Sequence, residues 1–146
     1  MSAALVLLVE DNPDDAMLAR RAFARCRPAG ELIVAASGEE AVRLLLEPLG
    51  NGTTRPALPI LVLLDLKLPG IDGTEVLRRI RADARTRTIP VVILTSSRVP
   101  GDVAACYDLG ANGFLQKPVE FDQFQECIRV LTAFWLGMNV PPVLPG

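Results

Sequence analysis

Apolar and polar positions along the chain follow two alternating rhythms. Five short apolar stretches, LVLLVE (5–10), ELIVAA (31–36), ILVLLD (60–65), VVILTS (91–96) and GFLQK (113–117), read as strands. The first, third and fourth are continuous Val/Ile/Leu runs, as expected of parallel strands covered on both faces. Helical spacing fills the intervals at 13–26, 37–49, 73–83, 99–110 and 120–137. The first of these helices has Asn12 as its cap, Pro13 in its first turn, and Asp14 and Asp15 at its positive end. Ser37 followed by Glu40 forms a capping pattern for the second, and the last two stop at Gly110 and Gly137.

Strand–helix units repeated five times predict an α/β fold, with right-handed crossovers, a parallel sheet and helices on both faces. In such sheets ligands bind beyond the carboxyl ends of the strands. Glu10 and Asp11 close the first strand, Asp65 the third, Thr95 the fourth and Lys117 the fifth. Topology alone therefore gathers these side chains on one rim. The Gly/Thr/Pro-rich segment 47–59 reads as an extended surface loop, and NVPPVLPG (139–146) as an extended tail.

At 146 residues the chain fits one domain with a proper core. Half its residues are apolar and its net charge is −2, without a basic cluster, which argues against nucleic acid or an anionic membrane as partner. No apolar run approaches the ~20 residues of a membrane span, and no secretion signal is present, so a cytoplasmic location is expected. Cys26, Cys106 and Cys127 show no metal or redox spacing and read as thiols in a reducing compartment. The glycosylation pattern at Asn51 is read as coincidence for the same reason. Histidine is absent altogether, so chemistry must run on carboxylates, hydroxyls and lysine.

Three carboxylates (Glu10, Asp11, Asp65) then converge on one hydroxyl (Thr95) and one ammonium (Lys117). Carboxylates so close repel each other, and a hard divalent cation relieves them; magnesium suits one or two carboxylates with waters and phosphate oxygens. A lysine beside such a site binds the same incoming anion, and the combination points to phosphoryl transfer onto a carboxylate.

These motifs, VEDNPDD, LLDLKLPGIDG, ILTSS and GANGFLQKP, stand in the order found in the receiver domain of two-component response regulators, which the chain resembles from residue 4 to about 136. The resemblance implies a flavodoxin-like, doubly wound five-stranded parallel sheet of order 2-1-3-4-5 flanked by five helices. It implies a receiver domain over 1–137 with an extended tail over 138–146. It makes Asp65 the phosphorylated aspartate and Mg2+ the cofactor, held by Asp11 directly, by Glu10 more through water, by Asp65 and by the backbone carbonyl of Lys67. Thr95 then binds the phosphoryl group and Lys117 neutralises it. Phe114 stands where the family keeps an aromatic switch residue that moves with Thr95, and Lys117–Pro118 where it keeps a cis peptide bond. The Lys67 ammonium is expected to reach back to Glu10 or to shield the phosphoryl group. The DNPDD start, DLKLPGIDG, the long loop before the third strand and FWLGMNVPP are similar to single-domain regulators paired with bacterial phytochrome histidine kinases.

The function expected is a signalling switch: a histidine kinase donates a phosphoryl group to Asp65, and the protein changes conformation rather than acting as an enzyme. The alternatives are a magnesium-dependent aspartyl-phosphate phosphatase and a receiver-like binding platform that is not phosphorylated. DGT at Asp72 also matches half of a haloacid-dehalogenase phosphatase motif, but Gly70 stands where that motif needs its nucleophile, so Asp72 reads as a helix cap. On the last helix Phe121, Phe124, Ile128, Leu131 and Trp135 cover one side, and Cys127, Val130, Phe134 and Met138 widen the apolar arc to about half the circumference. One flank suffices to pack on the sheet. The surplus, Cys127, Val130, Phe134, Trp135 and Met138, is expected to form a homodimer interface.

Overall fold

The computed structural model describes residues 4–26, 30–47 and 57–143. Asn51, residues 48–56 of the expected loop and residues 144–146 of the expected tail lie outside the described residues. Five strands alternate with five α-helices in chain order: β1 (Ala4–Val9), α1 (Pro13–Cys26), β2 (Gly30–Ala35), α2 (Gly38–Leu46), β3 (Leu61–Leu64), α3 (Gly73–Ala82), β4 (Val91–Thr95), α4 (Pro100–Asp108), β5 (Gly113–Gln116) and α5 (Phe121–Thr132). They build one parallel sheet of order β2-β1-β3-β4-β5, the doubly wound arrangement that the pattern and the resemblance predict.

The continuous apolar runs matter because successive side chains point to opposite faces. Leu7, Val9, Val62, Leu64, Val91 and Ile93 enter the core beneath α2, α3 and α4, with Leu45, Val76, Ile80 and Cys106. Their neighbours Val6, Leu8, Leu61, Leu63, Val92 and Leu94 enter the opposite core beneath α1 and α5, with Phe23, Phe124, Ile128 and Leu131. Both faces of the three inner strands are thus closed, and register is fixed, since a slip by one residue would exchange the two cores. Among the described residues no helix is long and apolar enough to cross a membrane.

Two helices end earlier than their spacing suggests. The second stops at Leu46 because Glu47 precedes Pro48 and takes the extended conformation (φ −66°, ψ 135°) that a pre-proline residue prefers. The last leaves the α-helix at Thr132, whose hydroxyl bonds back to the carbonyls of Ile128 and Arg129, and continues as a π turn over Ala133–Met138. The wider turn brings Trp135 and Leu136 against the α1/α5 core, and Phe134 meets the Trp135 ring edge-on with centroids 5.0 Å apart. Of the expected interface residues, Cys127 and Trp135 are therefore half-covered by their own chain, whereas Val130, Phe134 and Met138 face outward. Val140 and Val143 are 88% and 99% exposed, so that part of the tail does not fold back over them.

Leu64 sits between Val9 and Ile93 at the centre of the sheet and is fully buried. Leu64→Ala is expected to cost about 2–5 kcal/mol, from lost transfer energy and an unfilled cavity. Urea unfolding checks this: the midpoint should fall while the slope stays unchanged.

Candidate functional site

The carboxyl ends of the strands place the site. Backbone bonds from Glu10 N–H to the Ala35 carbonyl (3.0 Å), Asp65 N–H to Val9 (3.2 Å) and Lys117 N–H to Thr95 (2.7 Å) carry the sheet ladder to the rim itself. Immediately beyond, Asn12 turns the chain into α1, its Oδ1 accepting from the N–H groups of Asp14 (2.9 Å) and Asp15 (3.4 Å). The loop after Asp65 is pinned from below by the buried side chains of Leu66 and Leu68. It is closed by Gly73, where a Cβ would lie 2.2 Å from the Asp65 carbonyl oxygen, so only glycine lets α3 start against the backbone of Asp65. Asp72 caps that helix, accepting from Glu75 N–H at 3.0 Å.

Glu10, Asp11 and Asp65 each present one carboxylate oxygen within 4.8 Å of the others. Glu10 and Asp65 are buried and Asp11 is exposed. Hard oxygen donors at this spacing, one of them facing solvent, fit a divalent cation that keeps part of its water shell. Thr95, the last residue of β4, is fully buried, its hydroxyl oxygen accepting from Ser97 N–H at 3.3 Å.

Lys117 reaches into this group. Its Nζ lies 2.5 Å from Glu10 Oε1, 3.1 Å from Asp15 Oδ2 and 3.5 Å from Asp65 Oδ2. Burial raises the Glu10 carboxyl above its ordinary range even though Lys117 and the Asn12 N–H favour its charged form. Burial alone would lower the Lys117 ammonium, but Glu10, Asp65 and Asp15 outweigh it and hold the group above its ordinary value. Lys117 is therefore the local counter-charge of the rim.

Three expectations change. The Lys117–Pro118 bond is trans, the lower-energy isomer of an X–Pro peptide, and no described peptide bond is cis. Lys67, expected to reach back to Glu10 or to shield the phosphoryl group, lies 3.5 Å from Asp102 at the start of α4, while Glu10 is engaged by Lys117. Asp102 also accepts from Ser97 Oγ at 2.6 Å, which ties the loop after β3 to the loop after β4. Asp15, read from the sequence only as a helix-end acid, is a direct partner of Lys117. Its signal was present: Asp15 is one and two helical turns before the buried Ala19 and Ala22/Phe23, an acid on the core stripe of α1. Glu39 was also missed; it accepts from Ile71 N–H at 2.6 Å and steadies the loop around Gly70 (φ +72°). Phe114, paired with Ile93, is half-buried against the α2–α4 core.

With this geometry in view, the comparisons are specific. The model of the response regulator receiver domain matches residues 6–129. The chain is 40% identical over 138 residues to the probable methanogenesis regulatory protein FilR2 of Methanothrix harundinacea, covering 94% of this chain and 87% of that protein. It is 36% identical over 132 residues to the response regulator Rcp1 of Synechocystis, covering 90% and 88%. The crystal structure of the Mn(2+)-bound form of Rcp1 superposes with a TM-score of 0.86 at 34% identity, covering 96% of this chain and 99% of that one. The phosphorylated cyanobacterial phytochrome response regulator RcpA superposes equally well, at 0.86 and 34%, over 97% and 100%.

Removing Lys117 should expose how much the acids depend on it. Its raised pKa means that its contribution is fully present below the unfolded value of 10.5 and is lost only as pH rises through the folded one, so it is complete at pH 7. Lys117→Met is expected to cost about 3–5 kcal/mol in chelator at pH 7, because Glu10 and Asp65 would remain buried without a counter-ion. Millimolar divalent cation should restore much of that loss, as should acidification, which protonates Glu10. Urea titrations with and without the cation check both effects.

Proposed function

The chain belongs to the response regulator receiver domain family, and on that premise we propose that it accepts a phosphoryl group from a histidine kinase onto Asp65 in a magnesium-dependent reaction. The observation that supports it most is the convergence of the buried Asp65 carboxylate with Glu10, Asp11 and Lys117 at the end of the central strand. Glu10, Asp11, Asp65 and the backbone carbonyl of Lys67 would hold Mg2+. When bound, the ion supplies positive charge to the transferring phosphoryl group. An Asp65 oxygen attacks phosphorus as the N–P bond of the phosphohistidine breaks and its electrons return to the imidazole nitrogen. Lys117 then neutralises phosphoryl oxygens. Thr95, whose oxygen is already engaged by Ser97 N–H, donates its hydroxyl hydrogen to one of them, and Phe114 repacks as Thr95 shifts.

The product is a signalling state, and the protein is a phosphoacceptor rather than an enzyme that turns over. The likeness to the cyanobacterial phytochrome response regulator RcpA supports a kinase linked to a phytochrome-type sensor. The expected outcome is one phosphate per chain after incubation with acetyl phosphate and Mg2+, read by intact mass. Asp65→Asn should abolish incorporation while leaving unfolding free energy within about 1 kcal/mol of the parent or above it, since the shapes match and a crowded charge is gone. Unchanged incorporation would refute the assignment.

We also propose that the exposed Val130, Phe134 and Met138 meet the same residues of a second copy across a two-fold axis, flanked by the half-covered Cys127 and Trp135. Phe134→Asp is expected to weaken self-association at least about tenfold, as for a central aromatic in an interface. Sedimentation at micromolar concentration decides this, and a monomeric parent would exclude the dimer.

A further inference from the structure

Of the groups around Lys117, Asp15 is the one that the phosphoacceptor reading does not use. It lies outside the carboxylate set spaced for a cation, which comprises Glu10, Asp11 and Asp65. The only side-chain partner of its carboxylate among the described residues is Lys117. The ammonium has three N–H donors. Glu10 and Asp15 hold hydrogen bonds at 2.5 and 3.1 Å, whereas Asp65 stands at 3.5 Å, beyond a hydrogen bond from a lysine that is 12% exposed. The ammonium is therefore held by Glu10 and, from the first turn of α1, by Asp15, and sits farther from the acceptor.

We infer that Asp15 is a positioning residue that restrains Lys117 before phosphorylation, so that its ion pair with the lysine competes with the one Lys117 makes to a phosphoryl oxygen as phospho-Asp65 forms. The inference rests on the phosphoacceptor reading of Asp65 and deepens it. Phosphoryl transfer is accelerated chiefly by charge placed where negative charge collects on the transferring group. A lysine shared with Asp15 delivers less of that charge to the transferring group than one free to centre on it. Asp15 thus acts as a brake on loading through Lys117. Asp14, next in the chain and in the same helical turn, provides the comparison: its side chain is exposed, it has no side-chain partner among the described residues, and it carries the same charge.

The test compares the parent with Asp15→Asn, Asp15→Ser and Asp14→Asn, each checked for an unchanged melting transition. Phosphate uptake from acetyl phosphate with Mg2+ is followed by intact mass. Both Asp15 variants are expected to load roughly threefold to tenfold faster than the parent, the range of one partly buried ion pair, with Asp14→Asn within about twofold of it. A second reading needs no metal. In a crystal structure of chelator-treated Asp15→Asn, the Lys117 Nζ should move from 3.5 Å to hydrogen-bonding distance of Asp65 Oδ2. Loading of the Asp15 variants at the parent rate or more slowly would overturn the inference. So would equal acceleration by Asp14→Asn, which would assign the effect to net charge, and so would an unmoved Lys117. A parent protein that takes up no phosphate at all would instead overturn the acceptor reading, and the brake with it.

Discussion

A single ammonium, Lys117, holds together a rim on which Glu10, Asp15 and Asp65 would otherwise repel one another. Taking two carboxylates out of water is tolerable only with a counter-charge at short range. The distances of 2.5, 3.1 and 3.5 Å supply one. That constraint explains why the surrounding scaffold is so closely determined. The parallel ladder brings the ends of β1, β3, β4 and β5 level, Leu66 and Leu68 anchor the loop after Asp65 in the core, and Gly73 lets α3 begin against the backbone of Asp65. A looser frame would let the acids separate into solvent and undo the carboxylate spacing that fits a divalent cation.

The same arrangement separates a sealed interior from a charged rim. Residues of β1, β3 and β4 are sealed in two cores, one on each face of the sheet. At their ends lie the charged contacts: Lys117 with three acidic partners, Lys67 paired with Asp102, and Ser97 bonded to that same Asp102. These contacts run from the loop after Asp65 to the start of α4, while Lys117 leads through the following loop into α5. The outward side of α5 and its π turn carries Val130, Phe134 and Met138. Charge at the rim and apolar surface at the far side of the last helix are therefore joined by one short covalent path.

Much of this was legible in the order of residues. Val/Ile/Leu runs of strand length identified the inner strands because a strand covered on both faces has no polar alternation to show. Asn12, Ser37 and Asp72 marked helix starts, since each side chain can accept from an N–H that the helix leaves free. The rim residues were legible because parallel connectivity sends every strand end the same way. Partnerships among side chains were not. Lys67, expected to reach Glu10 or to shield a phosphoryl group, pairs with Asp102, and Asp15, expected only as an acid at the positive end of α1, pairs with Lys117, because flexible side chains choose among several charges by fractions of an ångström.

The sequence by itself determined the strands, the helices, the parallel topology and the set of acids, hydroxyl and lysine on one edge, since these follow from periodicity and local capping. Tertiary structure decided which acid Lys117 touches, where the last helix widens into a π turn, and which apolar residues of that helix remain outside. Those outcomes depend on packing between elements distant in the chain, such as α1 against α5 and β1 against β5 through Lys117. No local pattern records distances of that kind.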